Sequence, residues 1–136
     1  TDSTLTNSTA SLGGGGVLHV GGSTHVYSNS QIQGCKAAGT SKGTGGGGIF
    51  AYSIGVPATC VLGAGTSITH CSAGFYGGGI YAETLHNFVL EGGSFISDCS
   101  SGDGGGGAAF KLGMALREGS HISRCTSLGG YGGAIY

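Results

Sequence analysis

The sequence predicts an all-β fold, a parallel β-helix of about four to five coils with three short strands in each coil. Two short sequence words alternate along the chain at the spacing of a solenoid, and no window shows the 3.6-residue apolar period of a helix. Residues at equal offsets in successive repeats also match in size or oppose in charge. We therefore expect residues 1–136 to form a single β-helix domain, as a segment of a longer solenoid or a fibre subunit.

The first word is a run of glycines that leads directly into apolar residues. It occurs as GGGGVLHV from Gly13, GGGGIFAY from Gly45, GGGIYAE from Gly77, GGGGAAFK from Gly104 and GGAIY at Tyr136. Glycine runs weaken isolated strands, so bare backbone must be needed there. Two explanations stay open: a tight corner that only glycine fits, or a flat strip for close approach of another backbone or a sugar ring.

The second word has an apolar anchor three residues before a cysteine, or before Ser8 in its first copy. The anchors Leu5, Ile32, Ile68, Ile96 and Ile122 are spaced by 27, 36, 28 and 26 residues. Such a repeat length is typical of solenoids, whose coils stack about 4.8 Å apart. In the last turn the three predicted strands are Met114–Leu116, Ser120–Cys125 and Gly133–Tyr136.

Equal offsets from the anchors, or from the first apolar residue of the glycine word, define columns of residues that should stack from coil to coil. Three columns are apolar and predicted to point inward: Thr24, Cys60, Phe88 and Met114; Val26, Leu62, Leu90 and Leu116; and Val17, Ile49, Ile80, Ala108 and Ile135. Three charged columns pair opposite signs between the same two coils: Glu83 with Lys111, Glu91 with Arg117, and Asp98 with Arg124. Three such matches support the register, although exposed pairs contribute only about 0.2–1 kcal/mol each.

The two words resemble the repeat of the chlamydial polymorphic outer membrane proteins, which pairs GGA[I/L/V] with a hydrophobic-x-x-Asn word. Residues 132–135, GGAI, match the first word literally, and the Ile-x-x-Cys words fall where that family has Phe-x-x-Asn. The resemblance covers nearly the whole chain. It implies a right-handed parallel β-helix on a cell surface that acts in adhesion or as a structural stalk.

Four of the five cysteines form one column, and the sequence leaves their chemistry open. Stacked Cα atoms about 4.8 Å apart lie within disulfide range, but parallel Cβ vectors place the sulfurs poorly for the bond. We expect a buried thiol ladder of Cys35, Cys71, Cys99 and Cys125, with bridges Cys35–Cys71 and Cys99–Cys125 as the alternative. Cys60 falls in an apolar column, where it acts as a small hydrophobe.

Outward aromatic residues after the glycine runs are candidate contacts for a glycan or a protein partner. Phe50, Tyr81 and Tyr136 follow the inward residue of their strands and are predicted to point outward. The alternative is that these rings only cover glycines at the corner. Asn7-Ser8-Thr9 is the only N-glycosylation sequon, and a strand position would restrict access to it.

Several functions find little support in the sequence. A net charge of −1 with five Lys and Arg residues gives no nucleic-acid footprint, and no apolar run reaches the roughly 18 residues of a membrane span. No Cys-x-x-Cys pair or common histidine offset predicts a metal or other cofactor. The only column that resembles a polysaccharide lyase or hydrolase site contains Asp98, Arg124 and His70. An exposed ion pair fully explains the presence of these residue types there.

The sequence therefore predicts a non-enzymatic structural module of an extracellular fibre or cell-surface stalk. A glycan-binding surface adhesin is the alternative. The expected partners are copies of the chain, or the rest of a longer chain, stacked head to tail, because the first and last repeats carry the same words as the interior.

Overall fold

The computed structural model describes residues 2–83 and 86–136 and is an all-β parallel solenoid, which confirms the predicted fold class. Its strands form four parallel sheets, and consecutive strands along the chain belong to consecutive sheets. Sheets 1 and 2 hold five strands each, and sheets 3 and 4 hold four each. Four turns and the beginning of a fifth therefore lie on top of one another.

The strands are short, and each of coils 1 to 4 contributes one to every sheet. Coil 1 contains β1 (Thr4–Thr6), β2 (Thr9–Ala10), β3 (Val17–Val20) and β4 (Thr24–Val26). Coil 2 contains β5 (Gln31–Gln33), β6 (Lys36–Ala37), β7 (Ile49–Tyr52) and β8 (Ala58–Leu62). Coil 3 contains β9 (Ser67–Thr69), β10 (Ser72–Ala73), β11 (Ile80–Glu83) and β12 (His86–Leu90). Coil 4 contains β13 (Phe95–Ser97), β14 (Ser100–Ser101), β15 (Ala108–Phe110) and β16 (Gly113–Leu116).

Coil 5 is the part of a turn that follows residue 120. It contains β17 (His121–Ser123) and β18 (Thr126–Ser127) and reaches sheet 3 through single bridges from Tyr131 to Gly104 and from Ile135 to Ala108. These bridges keep the last glycine word in register with the words below it.

Each of coils 1 to 4 has four strands and not three. In the last turn a sharp corner at Arg124 ends the strand predicted over Ser120–Cys125, and a further short strand follows it, as in the coils before. The residue two positions after each anchor has a positive φ, and β1 and β2, like β17 and β18, lie on either side of it. That column contains Asn7, Gly34, His70, Asp98 and Arg124, with φ of 54, 65, 55, 56 and 50°. Left-handed backbone is uncommon outside glycine and the Asx residues, so a corner at His70 or Arg124 leaves no signal in the sequence.

The glycine runs form a second corner, and the geometry there excludes side chains. The φ of Gly77 is +60°, and a Cβ at Gly78 would lie 2.3 Å from the carbonyl oxygens of both Ser100 and Gly106. Two backbone segments of coil 4 therefore pass directly against this glycine of coil 3. The tight corner is the explanation that the structure supports.

The core is a set of stacked columns in the predicted register. Ile32, Ile68, Ile96 and Ile122 pair in sequence through sheet 1, and the first three are 4, 0 and 0% exposed. Leu62 and Leu90 in sheet 4, and Ile49 and Ile80 in sheet 3, are likewise fully buried. Leu116, which was predicted to point inward, is 46% exposed in the last strand of sheet 4. Each interior residue packs on its equivalents one coil above and below, and this repeated packing supplies the apolar burial of the fold.

Candidate functional site

A ladder of stacked aromatic rings runs up the corner beside the glycine words. Phe50 and Tyr81 stack with centroids 5.2 Å apart and planes 4° from parallel. Tyr76 lies 5.4 Å from Tyr81 and stacks on Tyr136 at 5.4 Å, and Tyr136 contacts Tyr131 at 5.7 Å. We call these five residues the aromatic ladder. Rings at such separations interact favourably beyond their burial.

Tyr81 was predicted to point outward as a contact residue, and the structure corrects the expected exposure. Its ring is only 2% exposed, because Phe50, Tyr76 and the glycine corner surround it. Burial, with the nearby Glu83 carboxylate, also raises the pKa of the Tyr81 hydroxyl. Phe50 is half-buried and Tyr136 is 49% exposed, so these two of the three predicted residues offer ring surface to a partner.

The ladder is organised by a complementarity of size between successive coils. One column, the glycine column, contains Gly13, Gly45, Tyr76, Gly104 and Tyr131. The residue that covers each member from the next coil belongs to a second column, the cover column, which contains Leu18, Phe50, Tyr81, Ala109 and Tyr136. Wherever the first column has glycine, the cover is an aromatic ring.

Direct contacts demonstrate this pairing. A Cβ at Gly104 would lie 2.8 Å from Cδ1 of Tyr136, and a Cβ at Gly13 would lie 2.5 Å from Cδ1 of Phe50. At the one interior coil where the glycine column has a ring, Tyr76, the cover is Ala109. Tyr76 thus has room to reach past coil 4 and stack on Tyr136 of coil 5. Tyr76 was not predicted as a site residue, although its replacement of a glycine in the repeat was the available signal.

An apolar cleft of about 410 Å³ lies at the N-terminal end of the ladder. Its lining includes Phe50 and Tyr52 and the exposed side chains of Leu12, Leu18 and Val20. Apolar walls with ring faces are suited to an apolar side chain or the face of a sugar.

The three charge pairs predicted from the columns are all present. Lys111 Nζ lies 2.7 Å from Glu83 Oε1, and Arg117 Nε lies 3.5 Å from Glu91 Oε1. Arg124 donates two hydrogen bonds to Asp98, from Nε to Oδ1 at 2.7 Å and from its terminal nitrogen to Oδ2 at 2.8 Å. These contacts confirm the predicted register. The first two pairs join coils 3 and 4, whereas the Asp98 pair joins coils 4 and 5 and not the same two coils as predicted.

The contact between Asp98 and Arg124 is a structural ion pair. Hydrogen bonds from Arg124 and then from Ser97 hold the pKa of Asp98 at about 2, below its ordinary 3.8. A carboxylate with so low a pKa, and with both oxygens engaged by a guanidinium, is poorly suited to accept or donate a proton near neutral pH. This arrangement supports the ion-pair interpretation of the column.

The four column cysteines are free thiols that stack inside the sheet 1 to sheet 2 corner. Cys71, Cys99 and Cys125 each donate to the carbonyl oxygen two residues earlier, at 3.3, 3.2 and 3.2 Å. Cys35, Cys71 and Cys99 are at most 1% exposed, whereas Cys125 is half-buried. Cys60 lies apart from this ladder, in the sheet 4 column with Phe88.

Burial and neighbouring thiols divide the cysteines by acidity. Burial alone raises the pKa of Cys60 to about 12. The neighbouring Cys99 thiol lowers the pKa of Cys125 to about 7, and the proximity of Cys125 raises the pKa of Cys99. Cys125 therefore combines the accessibility and the thiolate fraction that make a cysteine reactive.

Asn7 lies at the exposed corner between β1 and β2, and not within a strand as expected from the sequence. Its backbone N–H donates to the Gln33 carbonyl oxygen of the next coil at 2.9 Å, while the residue itself is exposed. The corner position therefore removes the accessibility objection to the sequon.

Within residues 2–83 and 86–136, no group of three or more His, Cys, Asp and Glu side chains is placed to hold a metal ion. The same residues include no helix long and apolar enough to cross a membrane. No family model, curated protein or solved structure matches this chain. The candidate site therefore consists of the aromatic ladder, its apolar cleft and the surfaces of the two end coils.

Proposed function

We propose that this chain is a non-enzymatic structural module of an extracellular fibre or cell-surface stalk, and that it assembles by stacking β-coils end to end. The observation that carries the proposal is the exposure of core columns at both ends of the solenoid. In sheet 3, Ile80 is 0% exposed, whereas Ile135 of coil 5 is 37% exposed. Leu5 and Val17 of coil 1 are only half-buried.

Unpaired backbone at the same two ends supports the proposal. The strands β1 to β4 have partners on the coil 2 side alone, and β16 to β18 have partners on one side alone. Open, in-register parallel edges are templates for further strands. A coil added at either end would bury the exposed columns as the interior coils bury theirs.

The extracellular setting is supported by the repeat words and by Asn7. Residues 132–135, GGAI, and the anchor words have the form of the polymorphic outer membrane protein repeat, which belongs to surface proteins. Asn7 is exposed at a corner of the solenoid, and N-linked glycans are carried at surface positions of secreted proteins.

The test of the structural role is made on native material. Electron microscopy should show fibres or stalks, and their diffraction should contain a repeat of about 4.8 Å along the long axis. Monodisperse native particles with both coil ends open to solvent would contradict the proposal.

A glycan-binding adhesin is the second candidate, favoured by the exposed rings at the C-terminal end of the ladder. Tyr131 and Tyr136 are 55 and 49% exposed, and sugars stack on such faces. Glycan-array binding that disappears in Tyr136→Ala would favour it. Tyr27→Ala is the matched control, because Tyr27 is 69% exposed but stacks on His25 away from the ladder.

A further inference from the structure

We propose that the C-terminal end of the solenoid receives a β-coil unlike coil 1 of a second copy, namely one with alanine or glycine over Tyr131 and a carboxylate over Arg124. This inference rests on the proposed stacking function and specifies the partner of one stacking surface. The contact would run through sheets 1, 2 and 3, because these are the sheets that coil 5 reaches.

The requirement for a small residue over Tyr131 follows from the contact between successive coils inside the molecule. Tyr76 is the interior ring of the glycine column, and its cover, Ala109, is 1% exposed. Tyr131 holds the equivalent position in coil 5 and is 55% exposed. The next coil must therefore bring a residue of about the size of Ala109 over Tyr131, since the interior interface leaves no space for more.

A second copy of this chain does not meet that requirement. Its coil 1 would place Leu18, the cover-column residue of that coil, over Tyr131. Leucine is larger than alanine by three carbon atoms, and each of the large cover residues Phe50, Tyr81 and Tyr136 lies over a glycine. The Tyr131 and Leu18 pair is therefore overpacked.

The charges on the end surface give an independent argument. In each charged column the cation belongs to the coil nearer the C-terminus, and Arg124 ends its column with 70% of its side chain exposed. Coil 1 of a second copy would place Asn7, an uncharged residue, over Arg124. A carboxylate there would continue the alternation of signs that Asp98 and Arg124 begin.

The experiment converts coil 1 into the inferred partner within the whole 136-residue chain. The double variant combines Leu18→Ala with Asn7→Asp. Both new residues already occur at the equivalent positions of coil 4, as Ala109 and Asp98. Leu18 is 57% exposed and Asn7 is exposed, so neither change removes core packing. Sedimentation velocity across a concentration series then measures head-to-tail association.

We expect the double variant to associate at concentrations about tenfold lower than the unchanged chain. Adding Arg124→Gln should reverse part of that gain, and Leu18→Phe should weaken association below that of the unchanged chain. Equal association by the unchanged chain and the double variant would overturn the partner assignment while leaving the stacking function intact. Failure of every variant to associate would overturn both.

Discussion

At the scale of single residues, the glycine corner shows how one coil decides what its neighbour must contain. The Tyr136 ring fills the space that a side chain at Gly104 would need, because the three atoms nearest to a Cβ at Gly104 all belong to that ring. The same column accepts tyrosine at Tyr76, where Ala109 is the cover. The size of the residue that fits in the glycine column therefore depends on the cover residue of the next coil, which lies about 30 positions later in the sequence.

A double-mutant cycle tests this dependence. Gly104→Ala should destabilise the chain by about 1–3 kcal/mol, because the new methyl group overlaps the Tyr136 ring. In a Tyr136→Ala background the same change should have little effect, and the difference measured by urea unfolding is the coupling. Equal losses in both backgrounds would show that backbone strain, and not the ring, excludes the side chain.

The Asp98 pair predicts a specific dependence of stability on pH. The folded pKa of Asp98, about 2, is below its ordinary 3.8, so the pair stabilises the fold above pH 3.8, and that contribution is lost as the pH falls toward 2. The stability difference between the unchanged chain and Asp98→Asn should be constant near neutral pH and shrink across this window. Chemical denaturation at several pH values measures it, and a difference that persists at pH 2 would contradict the assignment.

At the scale of strands and columns, much of the arrangement followed from aligning the repeats. The anchor column, the apolar columns of sheets 3 and 4 and the three ion pairs are confirmed, because in-register stacking makes residues at equal offsets direct neighbours. The fourth strand of each coil was missed, since the corner at Arg124 uses a left-handed conformation without glycine. The burial of Tyr81 was missed because it depends on rings in other coils.

The anchor column predicts unequal effects of one substitution. Ile96 is 0% exposed between two coils that cannot collapse, so Ile96→Ala should destabilise the fold by about 2–5 kcal/mol. Ile122 has the same neighbour on one side alone and is half-buried, so Ile122→Ala is the matched control with a smaller loss. Equal losses in urea unfolding would indicate that the end coil is as tightly packed as the interior.

The thiol column predicts an order of chemical reactivity. With a pKa of about 7 and partial exposure, Cys125 should be alkylated first by iodoacetamide at neutral pH. Cys60, whose pKa is about 12 and which is fully buried, should react only on unfolding. Peptide mass mapping against time distinguishes them, and Cys125→Ser should remove the fast phase. A fast reaction at Cys60 would contradict the interior packing.

At the scale of the whole molecule, the coils form a linear series in which protection depends on the number of neighbours. Strands of coil 3 such as β9 and β11 have hydrogen-bonded partners on both sides, whereas β1 and β17 have a partner on one side. Each coil contacts mainly the coils above and below it, which is the arrangement of a quasi-one-dimensional solenoid.

This arrangement predicts a gradient of amide hydrogen exchange. Amides of β9 and β13 should exchange slowest, and those of β1 and β17 fastest, because the ends open without disturbing the centre. Exchange measured by mass spectrometry on the isolated chain should show the gradient, and assembly should slow exchange at the ends. Uniform protection along the isolated chain would mean that the coils unfold as one unit.

The hydrogen bonds between coils give the molecule a directional mechanical strength. They run along the axis of the solenoid, since each strand pairs with its equivalent in the next coil. Tension along that axis loads the bonds of several sheets at one coil boundary together. A sideways pull on a free end such as Tyr136 instead loads them one after another, so the solenoid resists stretching and yields to peeling.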